Sequence, residues 1–232
     1  MIKAFVTNLG LYNQGELCGE WLSLPATKGD VEGLLARIGV DGVIYEGTFI
    51  SDYEISIEGL SKHLGEYESI DELNYLAALI SDMDDWEMER FKAAVVCGEY
   101  CGSVHELINL THNLDCYELY PGVRDDEDLG RYLIEEMGFE EVPERLQNYI
   151  DYEAYGRDFH ISEGGEFIDN GYVYRNNDRF NEYYNGRDDL PDEYKIFCYP
   201  DKKSVKQQLE VYGKMARLQT DAGKSEPIQA ER

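Results

Sequence analysis

Cys97, Cys101, His105 and His112 are the one cluster of metal-capable side chains close together in the sequence, spaced Cys-x3-Cys-x3-His-x6-His. Thiolate and imidazole suit zinc, so four converging ligands could hold it. The spacing lacks a CxxC pair, however, and buried cysteines with histidines on or near a helix explain the same residues. Asp82-Met83-Asp84-Asp85 resembles the start of a calcium loop, but the sixth position is Glu87 where such a loop needs glycine. Paired carboxylates could serve glycoside hydrolysis. With 48 Asp and Glu in the chain, proximity of two of them says little. No glycine-rich phosphate loop and no Gly-x-Ser-x-Gly elbow occurs. We therefore expect no cofactor, no metal and no catalytic residue. The enzyme alternative is a small hydrolase using the Cys/His cluster or a carboxylate pair.

The charge is more informative. Against 48 acids stand 21 Lys and Arg in 232 residues, a formal net charge of -27. Binding to phosphate polymers depends on clustered cations, so no direct nucleic-acid binding is expected, and anionic membrane surfaces are disfavoured for the same reason. No apolar run approaches the roughly 18 residues of a membrane span. Five cysteines at scattered positions do not form a secreted disulfide framework. The first residues resemble a strand, not a signal peptide. These features place the chain in the cytoplasm.

The elements that must position this charge follow from patterning. Ile2 to Leu9 and Leu17 to Leu24 read as strands, with a turn at Gly10 to Gly15. Thr27 with Asp30 marks a helix start before Val31, Leu34, Leu35 and Ile38, and Val43 to Ile57 returns to strand composition. In the middle, capping boxes at Ser69/Glu72 and Ser103/Glu106 and a cap at Asp84 precede short helices. The third segment has a strand at Cys116 to Tyr120, helices at Asp126 to Met137 and Pro143 to Ile150, and a hairpin whose turn is Asn170-Gly171. Arg175 to Pro200 reads as loops, Lys202 to Gln219 as one helix, and Thr220 to Arg232 as disordered. The expectation is an α+β protein, an elongated chain of small domains: an N-terminal sheet with a helix (1–57), a central short-helix bundle (58–113), a mixed C-terminal domain (114–199) and a basic tail (200–232).

The acids belong to the folded body. Between Ile38 and Val123 only Lys62, Arg90 and Lys92 face eighteen carboxylates. That costs stability through self-repulsion, which suggests a use for the field, although halophilic adaptation or plain solubility would also produce it. The residues expected on this surface are Asp52, Glu54, Glu58, Glu66, Glu68, Asp71, Glu72, Asp82, Asp84, Asp85, Glu87, Glu89, Glu99 and Glu106. The third segment adds Asp125, Asp126, Glu127, Asp128, Glu135, Glu136, Glu140 and Glu141. Carboxylates three or four apart on a helix stand about 5–6 Å from one another, comparable with phosphates along a strand. Three domains of about 27 Å in a row would span about 80 Å. Such a body approaches the charge density of a duplex, about one charge per 1.7 Å. A competing use is an acidic scaffold for some other basic protein. The tail, with Lys202, Lys203, Lys206, Lys214 and Arg217, could cover part of the acidic body, meet a partner's acidic patch, or stand in solvent.

The residues also carry a family resemblance. Phe5-Val6-Thr7-Asn8-Leu9-Gly10-Leu11-Tyr12-Asn13, with Gly15, Leu17, Gly19, Trp21 and Pro25, resembles the opening of the ArdA-type antirestriction proteins. Gly65 to Ala77 resembles their central segment, and Leu133 to Asp158 their antirestriction motif. The resemblance covers about residues 1–160. It implies a protein of mobile genetic elements that mimics bent B-form DNA. Its partner would be a type I restriction–modification enzyme, whose specificity and modification subunits it blocks as a homodimer. The dimer contact implied here involves Tyr149, Asp151, Tyr152, Ala154, Tyr155 and Arg157. From the residues alone, the three tyrosines could equally be core within one chain.

Overall fold

The computed structural model describes residues 1–200 and 204–222 and is α+β. β1 (Ile2–Asn8), a single turn α1 (Leu9–Tyr12), β2 (Gly19–Leu24), α2 (Lys28–Arg37) and β3 (Thr48–Ile55) make the first unit. Its strands pair antiparallel in the order β2-β1-β3. Alternation along β1 sends Ile2, Ala4 and Val6 to one face, where Val31, Leu34, Leu35 and Ile38 cover them. A reciprocal box starts α2, with the Thr27 hydroxyl accepting from the Asp30 amide and the Asp30 carboxylate accepting from the Thr27 amide.

Two expectations here need correction. The turn after β1 contains α1, because the Asn8 side chain caps it by accepting from the Leu11 amide at 3.0 Å. Strand β3 begins at Thr48, not Val43. The Asp41 carboxylate accepts from the amides of Val43, Ile44 and Tyr45 and winds that stretch into a tight loop, although Val, Ile and Tyr favour strands.

The middle holds α3 (Ile70–Asp82), α4 (Asp85–Cys97) and α5 (Val104–Thr111). Asp84 and Glu87 close a full capping box. Ser69 and Ser103 do cap their helices, but neither box is reciprocal: Glu72 turns to Tyr184 and Arg187, and Glu106 accepts from Gly102. Asp84→Ala is expected to lower stability by about 1 kcal/mol, measured as a shift of the urea midpoint. One core runs from Ile2 through these helices to Ile196.

The last unit comprises β4 (Tyr117–Pro121), α6 (Asp126–Arg131) continued by a π-helical turn Tyr132–Glu136, α7 (Glu144–Gln147), α8 (Tyr152–Glu163), β5 (Glu166–Ile168) and β6 (Gly171–Arg175). Its antiparallel sheet has the order β4-β6-β5. The hairpin turn is Asp169-Asn170, one residue earlier than expected; Gly171 already pairs with Ile168 and with Pro121. The helix at Pro143 is one turn, with Pro143 at its cap and Ile150 outside it. α8 has no counterpart among the expected elements.

Leu119 and Val173 face Ala93 of α4, while Tyr120, Tyr172 and Tyr174 face Leu129, Leu133 and Phe159. The second core therefore joins the first through a narrow seam. After Arg175, residues 176–199 run back over α3 and α5, with Tyr184, Leu190 and Ile196 buried in the first core. Finally α9 (Val205–Ala222) starts later than expected and includes Thr220 to Ala222; Lys202, Lys203 and residues 223–232 lie outside the described residues. No helix among those described is long and apolar enough to cross a membrane.

Candidate functional site

The metal candidates do not form a centre. Cys101 is buried and donates to the Glu99 carbonyl at 3.3 Å, and burial pushes the Cys97 and Cys101 thiols up to about 12. At neutral pH both are therefore protonated and weakly nucleophilic. His105 lies beside the Tyr184 ring, and His112 meets the edge of Tyr183 with its pKa lowered by burial. Among the described residues, no group of three or more His, Cys, Asp or Glu could hold a metal. Iodoacetamide at about pH 8 is expected to spare Cys97 and Cys101 in the native protein and modify both in urea, read by mass spectrometry. Asp82 to Asp85, the calcium-like stretch, is the junction of α3 and α4, where Asp84 serves as the helix cap.

The acidic surface is the larger feature. At the α3–α4 junction Asp82, Asp84, Asp85 and Glu87 are all exposed: capping and helix polarity favour the last three at the N-terminus of α4, Asp82 is the last residue of α3, and the apolar faces of both helices turn to the core. Asp52, Glu54, Glu58, Glu66 and Glu99 are exposed as well; Glu68, Glu89 and Glu106 are half-buried. Two of the three cations of this region, Arg90 and Lys92, are turned to partners within the fold. Arg90 stacks on Trp86 and reaches Glu118 at 3.7 Å, and Lys92 pairs with Glu89 at 2.6 Å. Lys3 holds Glu54, and Arg175 lies 3.5 Å from Glu99.

Asp71 and Glu72 depart from the expected outward row. Asp71 accepts from the amides of Ile196 and Phe197, and Glu72 binds the Tyr184 hydroxyl at 2.9 Å and Arg187 at 3.1 Å. They anchor the returning segment, which the spacing of α3 could not reveal because their partners are more than a hundred residues away. That segment supplies exposed acids of its own, Asp188, Asp189, Asp192 and Glu193.

On the last unit Asp125, Glu127, Glu135, Glu136, Glu140 and Glu141 are exposed. Asp125 caps α6, and Arg131 bridges Glu127 and Glu135. Asp126 is half-buried against His160 at 3.2 Å, and Asp128 is half-buried at the first turn of α6. Apart from the pairs named, the expected surface acids have no ion-pair partner among the described residues.

The expected contact segment divides in two. Tyr149 is 84% exposed, and Arg157 is exposed one turn along α8 from half-buried Ala154. Asp151 caps α8 by accepting from Ala154 at 3.0 Å. Tyr152, by contrast, is buried in its own chain: its hydroxyl donates to Glu135 at 2.7 Å, raising its pKa, and Arg131 lies 4.5 Å over its ring. Tyr155 packs partly into the second core. Both follow from the close crossing of α6 and α8 at Gly130 and Gly156, each of which lies against backbone of the other helix.

None of the curated proteins compared matches the sequence. The family model for the antirestriction protein ArdA matches residues 4–174, spanning both sheets and the helices between and beside them, and ends where the returning segment begins. With well over half of the chain matched from the first sheet through the second, the protein belongs to the ArdA family of antirestriction proteins.

Proposed function

We propose that the chain imitates a DNA duplex and, without catalysis, occupies the DNA-binding groove of a type I restriction–modification enzyme, blocking restriction and modification together. The observation that carries this reading is the run of exposed, unpaired carboxylates on both cores, from Asp52 through Asp85 and Glu87 to Glu136 and Glu141. Two cores joined through Ala93, Leu119 and Val173 support an extended body. Carboxylates replace phosphates against the enzyme's Lys and Arg, and the chain itself has no use for nucleic acid. A homodimer through exposed Tyr149 and Arg157 doubles the reach, with exposed Met137, Phe139 and Leu146 nearby in the chain. The place of action is the cytoplasm, where such enzymes meet incoming DNA.

The test is competition for labelled DNA by a purified type I methyltransferase. The protein is expected to displace DNA stoichiometrically, and its affinity to fall about a hundredfold or more between roughly 50 and 200 mM salt. Glu87→Gln is expected to change affinity less than about threefold, because each screened contact contributes little. DNA binding undisturbed at stoichiometric protein, or affinity independent of salt, overturns the reading.

A further inference from the structure

We infer that a cleft between the first sheet and the returning segment is a receptor for a cationic side chain, an arginine of the protein partner. The cleft measures about 280 Å³. Phe49 and Tyr67 form one wall, with ring centroids 6.3 Å apart, and Phe197 and Tyr199 meet edge to face at 5.0 Å on the other. Tyr67 is 71% exposed and Tyr199 52%, whereas Phe49 is buried behind Tyr67, so the two tyrosine rings are the ones an entering group meets.

The walls are held by backbone pairing. Glu66 is fixed along β3 because the Ile50 amide donates to its carbonyl at 2.7 Å, and Phe197 is fixed because its amide donates to Asp71. The mouth is acidic. Glu66 is exposed without an ion-pair partner among the described residues, and Glu68 accepts only a backbone amide, that of Gly65. Arg187 is the one cation among the lining residues, and Glu72 offsets its charge at 3.1 Å.

Aromatic faces within about 6 Å together with carboxylates are the chemistry that selects guanidinium over neutral groups. An anionic ligand finds no uncompensated cation there. Half of the cage, Phe197 and Tyr199, lies beyond residue 174, where the family match ends. The cleft therefore adds a localised contact to the occlusion reading, and it rests on that reading for the identity of the partner.

Two measurements separate the cleft from the wider reading. In the first, the intact protein is titrated with Nα-acetyl-arginine amide and, separately, with the uncharged citrulline analogue, following the ring resonances of Phe49 and Phe197 and the backbone amide of Glu66, which the variants retain. Saturable shifts with arginine, at least about fivefold weaker with citrulline and lost in Tyr67→Ala/Tyr199→Ala, are expected. No shift, or equal shifts with both compounds, overturns the inference whatever the enzyme does. In the second, the same double variant, whose exposed side chains leave the core intact, is compared with wild type for binding to a type I methyltransferase across a salt series. Affinity is expected to fall about tenfold with the salt slope unchanged, since no carboxylate is removed. Equal affinity of variant and wild type overturns the cleft and leaves occlusion standing. If wild type itself does not bind, occlusion fails and the arginine titration decides the cleft.

Discussion

Gly156→Ala is expected to destabilise the protein by more than about 3 kcal/mol, enough to unfold its last unit at modest urea. A β-carbon at this position would overlap the Asp126 carbonyl, and one at Gly130 would overlap the Tyr152 carbonyl. Side chains can rotate away from an added methyl, but two helix backbones already in contact cannot. Separating α6 from α8 would also break the Tyr152–Glu135 hydrogen bond and the His160–Asp126 contact. Gly164→Ala is the comparison. Gly164 ends α8 at φ +70° with nothing near it, so alanine there meets only the left-handed backbone penalty, about 1 kcal/mol. Urea midpoints for the two variants should differ by more than the error of either. If Gly156→Ala unfolds like wild type, the helices do not cross at the glycines, and the account given for Tyr152 fails with them.

Asn109→Ala should have an effect of similar size at the opposite end of the chain's return path. Asn109 is 1% exposed, and its amide group works in both directions. Its oxygen accepts from the amides of Tyr183 and Tyr184, and its nitrogen donates to the Tyr184 carbonyl at 2.8 Å. Asn113, one turn on, does the same for Asn181. Alanine at 109 leaves the buried amide and carbonyl of Tyr184 without partners, each costing about 1–3 kcal/mol, and opens a cavity beside them. The expected result is a loss of about 3 kcal/mol in urea unfolding, with faster hydrogen exchange at Tyr183 and Tyr184 and new proteolytic cuts between residues 176 and 199. Unchanged exchange there would show that the segment is held by burial of Tyr184, Leu190 and Ile196 alone.

Much of the fold was legible because its signals are local. Capping residues Thr27, Ser69, Asp84 and Ser103 each mark a helix start that the structure contains, since a cap acts on amides two or three residues away. The misreadings have physical causes. Asp41 overrode the strand preference of Val43 to Tyr45, and α8 is hard to see because its buried face includes Gly156 and its exposed face includes Ile161. For the candidate surface, exposure of Asp82, Asp85 and Glu87 followed from their helical phase. The inward turn of Asp71 and Glu72 did not, because α3 alone says nothing of a segment that returns more than a hundred residues later.

Composition and motif order were enough for the class of the protein. A net charge of -27 makes the chain strongly anionic however it folds, since charge count does not depend on contacts. The opening, central and antirestriction motifs identify the family in the same contact-independent way. Which acids remain available is another matter, settled by pairings across the fold. Arg90 with Glu118, Arg175 with Glu99 and Arg187 with Glu72 join residues distant in sequence, and each withdraws a carboxylate that counting would have left free. The cleft of Phe49, Tyr67, Phe197 and Tyr199 arises likewise only when the chain folds back, because no linear pattern brings residue 49 beside residue 199.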